Sequence, residues 1–110
     1  MNDDVSEAGF QAAIMDMAAW CGWRRFHPRA VRTADARHLT AFAGESGFPD
    51  LVLVHRDRGV IFAELKSERG KTTPGQRQWL NALEDANAET YLWRPQDFDF
   101  IVDRLRGNDV

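Results

Sequence analysis

The sequence predicts a single α/β domain built around a β-hairpin, with helices before and after it. Three observations carry this. Leu51-Val52-Leu53-Val54, then His55-Arg56-Asp57-Arg58-Gly59, then Val60-Ile61-Phe62-Ala63 reads as apolar strand, polar turn, apolar strand. Apolar residues recur at helical spacing near both ends of the chain. Between the hairpin and a last strand lies a capped helical segment, the pattern of a parallel crossover.

The elements follow in order. Residues 6–21 form a helix, started by Ser6 or Asp4 as cap and stopped at Gly22. A strand lies within Trp23 to Val31, interrupted or edged by Pro28. Residues 32–48 read as a long irregular connection, a kind of segment that is often functional. After the hairpin, Thr73-Pro74-Gly75-Gln76 begins a helix that runs to about Ala86 and ends at Asn87-Ala88. Thr90-Tyr91-Leu92-Trp93 is the next strand. Phe98, Ile101, Val102 and Leu105 recur at i, i+3, i+4 and i+7, which makes a final amphipathic helix.

At 110 residues the chain is expected to be one domain over 1–110, with about 1–5 and 106–110 frayed. There is no membrane-length apolar run, and the start Met1-Asn2-Asp3-Asp4 is acidic, unlike a signal peptide. The single cysteine, Cys21, excludes an intramolecular disulfide and a cysteine-rich zinc site. It reads as a structural thiol, and these features fit a reducing cytoplasm. The net charge of −3 counts mildly against a polyanionic partner, but distribution matters more than the sum. Arg24, Arg25, Arg29, Arg32 and Arg37 gather with His27 and His38, and Lys66, Arg69, Lys71 and Arg77 form a second basic group.

The hairpin carries chemistry at its open end. With the turn centred at Asp57, residue 50 falls opposite residue 64, and opposed residues have Cβ atoms about 5 Å apart. Glu64 and Lys66 leave the same strand face. Two carboxylates and an ammonium therefore converge, at a cost unless something pairs with them. A divalent cation with oxygen ligands, Mg²⁺ or Mn²⁺, suits the pair and also takes phosphate oxygens as ligands.

Pro49-Asp50 followed by Glu64-Leu65-Lys66 resembles the signature of the PD-(D/E)XK nuclease superfamily. The longer runs Gly47-Phe48-Pro49-Asp50-Leu51-Val52-Leu53-Val54, Phe62-Ala63-Glu64-Leu65-Lys66 and Gln76-Arg77-Gln78-Trp79-Leu80 resemble its VRR-NUC branch, which has small stand-alone members in phages and bacteria. The resemblance implies a restriction-endonuclease-like αβββαβ core, a mixed central sheet flanked by helices, with a C-terminal helix added. It implies an endodeoxyribonuclease that hydrolyses DNA phosphodiesters with Mg²⁺ or Mn²⁺. Branched or junction DNA is the expected substrate, including Holliday junctions, and a homodimer the expected assembly. It further implies Asp50, Glu64 and the Leu65 carbonyl as metal ligands and Lys66 as the residue assisting the attacking water. A non-cleaving DNA-binding or interaction subunit on the same fold is the alternative.

Other polar residues have two readings each. Glu7 falls on the helix face of Phe10, Ile14, Met17, Ala18 and Cys21, with Gln11 at its edge. It is either a first-turn acid favoured by the helix dipole or, by resemblance, a residue that reaches the metal site. Gln76 is either the N3 partner of a capping box on Thr73 or, by resemblance, a catalytic-site residue. His27 and Arg32 suit a phosphate contact or a polar strand edge. Arg29, Arg32, Ser67, Arg69, Lys71 and Gln11 are the expected DNA contacts, though Ser67 also suits a turn. Trp20, Trp23, Trp79 and Trp93 are expected to fill the core or cover an interface.

Overall fold

The computed structural model describes residues 6–28 and 43–107, with two short strands between them, Val31–Arg32 and His38–Leu39. The first helix, α1, spans Glu7–Trp20. Ser6 caps it, its hydroxyl accepting the Gly9 N–H at 3.0 Å. Phe10, Ile14 and Ala18, spaced by four, form its buried stripe. The chain turns out of the helix at Gly22, whose φ of 87° suits glycine.

Strand β1 is Arg24–Phe26, shorter than the expected Trp23 to Val31. Pro28 lacks the N–H that a continuing ladder needs. The stretch expected to be irregular instead carries a small antiparallel ribbon, β2 (Val31–Arg32) with β3 (His38–Leu39). Its strands are too short to show alternation in sequence.

The hairpin has the predicted register. Strands β4 (Leu51–His55) and β5 (Gly59–Leu65) pair antiparallel, Leu51 opposite Ala63 and Val54 opposite Val60. Helix α2 (Pro74–Asp85) then leads to β6 (Glu89–Trp93), which pairs parallel to β5. The mixed sheet has the order β1-β4-β5-β6. A 3-10 turn at Pro95–Asp97 feeds the last helix, α3 (Phe98–Arg106).

The core lies on one sheet face. Leu51, Leu53, Ile61, Ala63, Leu65 and Trp93 pack there with Phe10, Ile14 and Ala18 of α1 and Ile101 and Leu105 of α3. Arg104 ties α3 down, donating to both carboxylate oxygens of Glu89 at 2.6 and 2.8 Å and to the Arg58 carbonyl at 2.7 Å. The Leu105 carbonyl near the end of α3 accepts from Trp23 Nε1 at 2.9 Å and Arg58 Nη1 at 2.8 Å, satisfying a helix-end acceptor. Helix α2 serves the opposite face, where the Phe48 ring sits edge-on to both Trp79 and Phe62. Trp23 and Trp93 are buried as expected and Trp79 is half-buried, but Trp20 is 88% exposed and fills no core.

Candidate active site

Asp50 stands one residue before β4 and Glu64 one before the end of β5, so the register brings them opposite each other. A hydrogen bond fixes the pairing: the Leu65 N–H donates to Asp50 Oδ2 at 2.9 Å. Glu64 is 1% exposed, the sole charged side chain in the buried set among the described residues. Lys66 Nζ lies 3.7 Å from Glu64 Oε2. Glu64 Oε1 is buried and has no hydrogen-bond partner among the described residues. Burial first, then the neighbouring Asp50 carboxylate, push Glu64 up to about 8, against the lowering pull of Lys66. An acidic oxygen with no donor, next to a second carboxylate, suits a cation. Among the described residues, no three of His, Cys, Asp and Glu stand together in a group able to hold a metal ion. The side chains thus offer two carboxylates, leaving the remaining ligand positions to backbone oxygen, water or phosphate.

The loop before Asp50 is held by α2. The Glu45 carbonyl accepts from Trp79 Nε1 at 3.1 Å. Gly47 has φ 99°, and a Cβ there would stand 2.4 Å from the Gly75 carbonyl carbon and 2.7 Å from the Gln76 nitrogen. Backbone lies on backbone at this point, which only glycine permits. His27 acts from the other side, its Nδ1–H donating to the Asp50 carbonyl at 2.7 Å. This contact is with the protein chain, at a residue the sequence read as either a phosphate contact or a polar strand edge. Lys66 is anchored through its own N–H to the Trp93 carbonyl at 3.0 Å. The following loop is gathered by Arg94, whose Nη1 donates to the carbonyls of Ser67 and Gly70, each at 2.7 Å.

The other predicted residues fall as follows. Glu7 is exposed in the first turn of α1, so it is not the core-side glutamate that helix periodicity suggested. The buried stripe begins only at Phe10. Gln11 is half-buried on the same helix. Gln76 forms the capping box: its Oε1 accepts the Thr73 N–H at 2.9 Å while the Thr73 hydroxyl accepts the Gln76 N–H at 3.2 Å. The Ser67 hydroxyl accepts the Gly70 N–H at 3.1 Å and so shapes its turn. Arg69 and Lys71 are exposed beside it. Arg29 lies outside the described residues, and Arg32 is placed only as part of β2. His27, Arg94 and the Gly47–Gly75 contact are the supports that sequence reasoning missed. Of these, the Gly-Phe-Pro-Asp run alone carried a local signal.

The VRR-NUC domain profile matches residues 10–96. A solved structure described as a VRR_NUC domain protein superposes with a TM-score of 0.59 at 15% sequence identity. The match covers 96% of this chain and 86% of that one, a likeness of fold. No curated protein matches the chain.

Proposed function

The chain belongs to the VRR-NUC domain family, part of the PD-(D/E)XK nuclease superfamily, and on that premise we propose that it is a metal-dependent endodeoxyribonuclease. Family membership implies a nuclease-type function in DNA processing. The observation that carries the finer reading is the orphaned Oε1 of buried Glu64, set beside Asp50 and within 3.7 Å of Lys66 through its other oxygen.

Asp50 and Glu64 would hold Mg²⁺ or Mn²⁺, with the Leu65 carbonyl as a third protein ligand. Such an ion supplies an activated water and neutralises charge on the phosphate oxygens. Asp50 keeps one oxygen on the Leu65 N–H, so its other oxygen is the one available. Lys66 orients the attacking water and stabilises the negative charge that develops on the phosphate. Glu7, at the open start of α1, supports the site through water or a second ion. Gln76 keeps its amide NH₂ for substrate while its oxygen caps α2. Arg69, Lys71 and Gln11, with Arg29 and Arg32, steer the DNA.

Branched or junction DNA is the substrate class of this reading. A homodimer supplies two sites for two strands. A bacterial cytoplasm, including one occupied by a phage, fits this role. The test is cleavage of a supercoiled plasmid and a labelled four-way junction with Mg²⁺ or Mn²⁺. Asp50→Asn and Glu64→Gln are expected to abolish cleavage while remaining folded. Junction binding without metal-dependent cleavage by the wild type would leave the alternative, a non-cleaving DNA-binding subunit.

A further inference from the structure

The sheet face that bears Glu64 continues past it toward the hairpin turn, and its far end has a different character. Arg24 pairs with Val54 and Phe26 with Val52 across β1 and β4. Val54 pairs with Val60 and Val52 with Phe62 across β4 and β5. Opposed residues share a face, so Arg24, Phe26, Val54 and Val60 stand on the face of Glu64. Phe26 is 60% exposed, Val60 43% and Val54 41%. Beside them opens a cleft of about 710 Å³ lined by Gly22, Trp23, Arg24, Arg25, Val54 and Arg56. Among the described residues its lining has three arginines and no acidic residue, on a chain of net charge −3. Arg25 is partly committed, donating to the Met15 carbonyl at 3.3 Å. Arg56 is extended into solvent, and its 3.9 Å approach to Asp57 is too long for a hydrogen bond.

We propose that this face binds an unpaired DNA strand, with Arg24 and Arg56 taking phosphates and Phe26 stacking on a base. This deepens the nuclease reading and rests on it. From Asp50 to Val54 is four residues of strand, roughly 13 Å at about 3.3 Å each. A strand laid along the hairpin spans that distance in a few nucleotides. It meets carboxylates at one end and guanidiniums at the other. The apolar middle selects between forms of DNA. A duplex presents phosphate rails and keeps its bases inside, so it would set charge against Phe26, Val54 and Val60. An unpaired strand presents flat base faces, which aromatic platforms bind without regard to sequence.

The test is binding in metal-free buffer, where no strand is cut, using the full chain with a fluorescent dodecameric oligothymidylate and a duplex of equal length. Phe26→Ala is expected to weaken oligothymidylate binding about tenfold, the effect of losing one stacked base, and to change duplex binding little. Arg24→Ala/Arg56→Ala is expected to lower the log–log salt slope by about 1.4, near 0.7 for each phosphate contact on a single strand. Thermal melting checks folding, and Phe26→Leu, which keeps bulk but has no π face, replaces any Phe26→Ala protein that fails to fold. Wild-type affinity and slope in these variants would overturn the inference. So would a loss larger on the duplex, which would make the face a duplex rail. In either case metal-dependent plasmid cleavage, scored separately, leaves the nuclease reading standing. A wild type that neither binds nor cuts DNA would overturn both.

Discussion

Asp50 and Leu65 are tied across the hairpin by one bond, the Leu65 N–H donating to Asp50 Oδ2 at 2.9 Å. The carboxylate therefore has two duties, to charge and to backbone. Truncation to alanine would orphan that N–H, at about 1–3 kcal/mol. Asparagine keeps an acceptor while removing the charge. Isosteric amides are for this reason the informative variants at the carboxylate pair.

Glu64 makes the metal-free protein sensitive to pH. Its carboxyl is raised from 4.5 to about 8, so the folded state holds a proton that the unfolded chain has released. The stabilising effect of that proton is complete below the unfolded value and is lost as pH rises through the folded one. The melting temperature without metal is expected to fall between about pH 5 and about pH 8. Glu64→Gln should lack this component and melt higher than wild type at the alkaline end. A wild-type profile identical in slope to that of Glu64→Gln would contradict the assignment. On the metal-dependent reading, Mg²⁺ would displace the same proton, so its affinity is expected to rise about tenfold per pH unit within that window.

Lys66 should matter to rate more than to affinity. Its Nζ contacts Glu64 at 3.7 Å, inside the site, and not the outer surface. Lys66→Ala is expected to keep junction affinity within a few-fold and to lose about 10²–10³ in turnover, the scale of removing one transition-state contact. Equal losses in both would make it a phosphate anchor.

Gly47 should be intolerant of any side chain. The φ of 99° and the 2.4 Å approach to Gly75 act together. Gly47→Ala is expected to cost about 2 kcal/mol or more, lowering the melting temperature by roughly 10 °C. Metal affinity should fall as well, because the loop ends at Asp50. Calorimetry and a thermal melt read both. An unchanged melt would mean that the loop can leave α2 freely.

Glu7 is the residue where position and family resemblance part. As an exposed first-turn acid, its replacement by glutamine should cost only a few tenths of a kcal/mol. If it serves the metal site, activity should fall more than tenfold at unchanged stability, with partial rescue by Mn²⁺. The second result is expected from the family resemblance, which implies a first-helix glutamate at the metal site, and not from burial, since Glu7 is exposed. Normal Mg²⁺-dependent turnover in Glu7→Gln would leave a site built from the hairpin alone.

Local patterns proved legible. The polar turn centred on Asp57 set the hairpin register, and the register set Asp50 opposite Glu64. Thr73 and Gln76 announced their capping box. The exposure of Glu7 was hidden because periodicity gives a helix face but not how far its cover extends. Trp20, expected in the core or at an interface, stays out of the core for the same reason. His27 and Arg94 act on carbonyls 23 and 24–27 residues away in sequence, and a linear reading has no term for such contacts. The β2–β3 ribbon, two residues per strand, is shorter than any pattern that could reveal it.

The hairpin also has a kinetic meaning. Asp50 and Leu65 are separated by 15 residues, whereas Trp79 fastens the preceding loop across 34 and Trp23 meets Leu105 across 82. Closing short spans costs less entropy, so the hairpin should assemble before the helices dock. An isolated hairpin is wet, and its carboxylates stay hydrated and ionised. Protonation of Glu64 then belongs to docking, the late event. The chain would sense pH at the final step of its folding, and stopped-flow refolding with a pH-independent last phase would contradict that order.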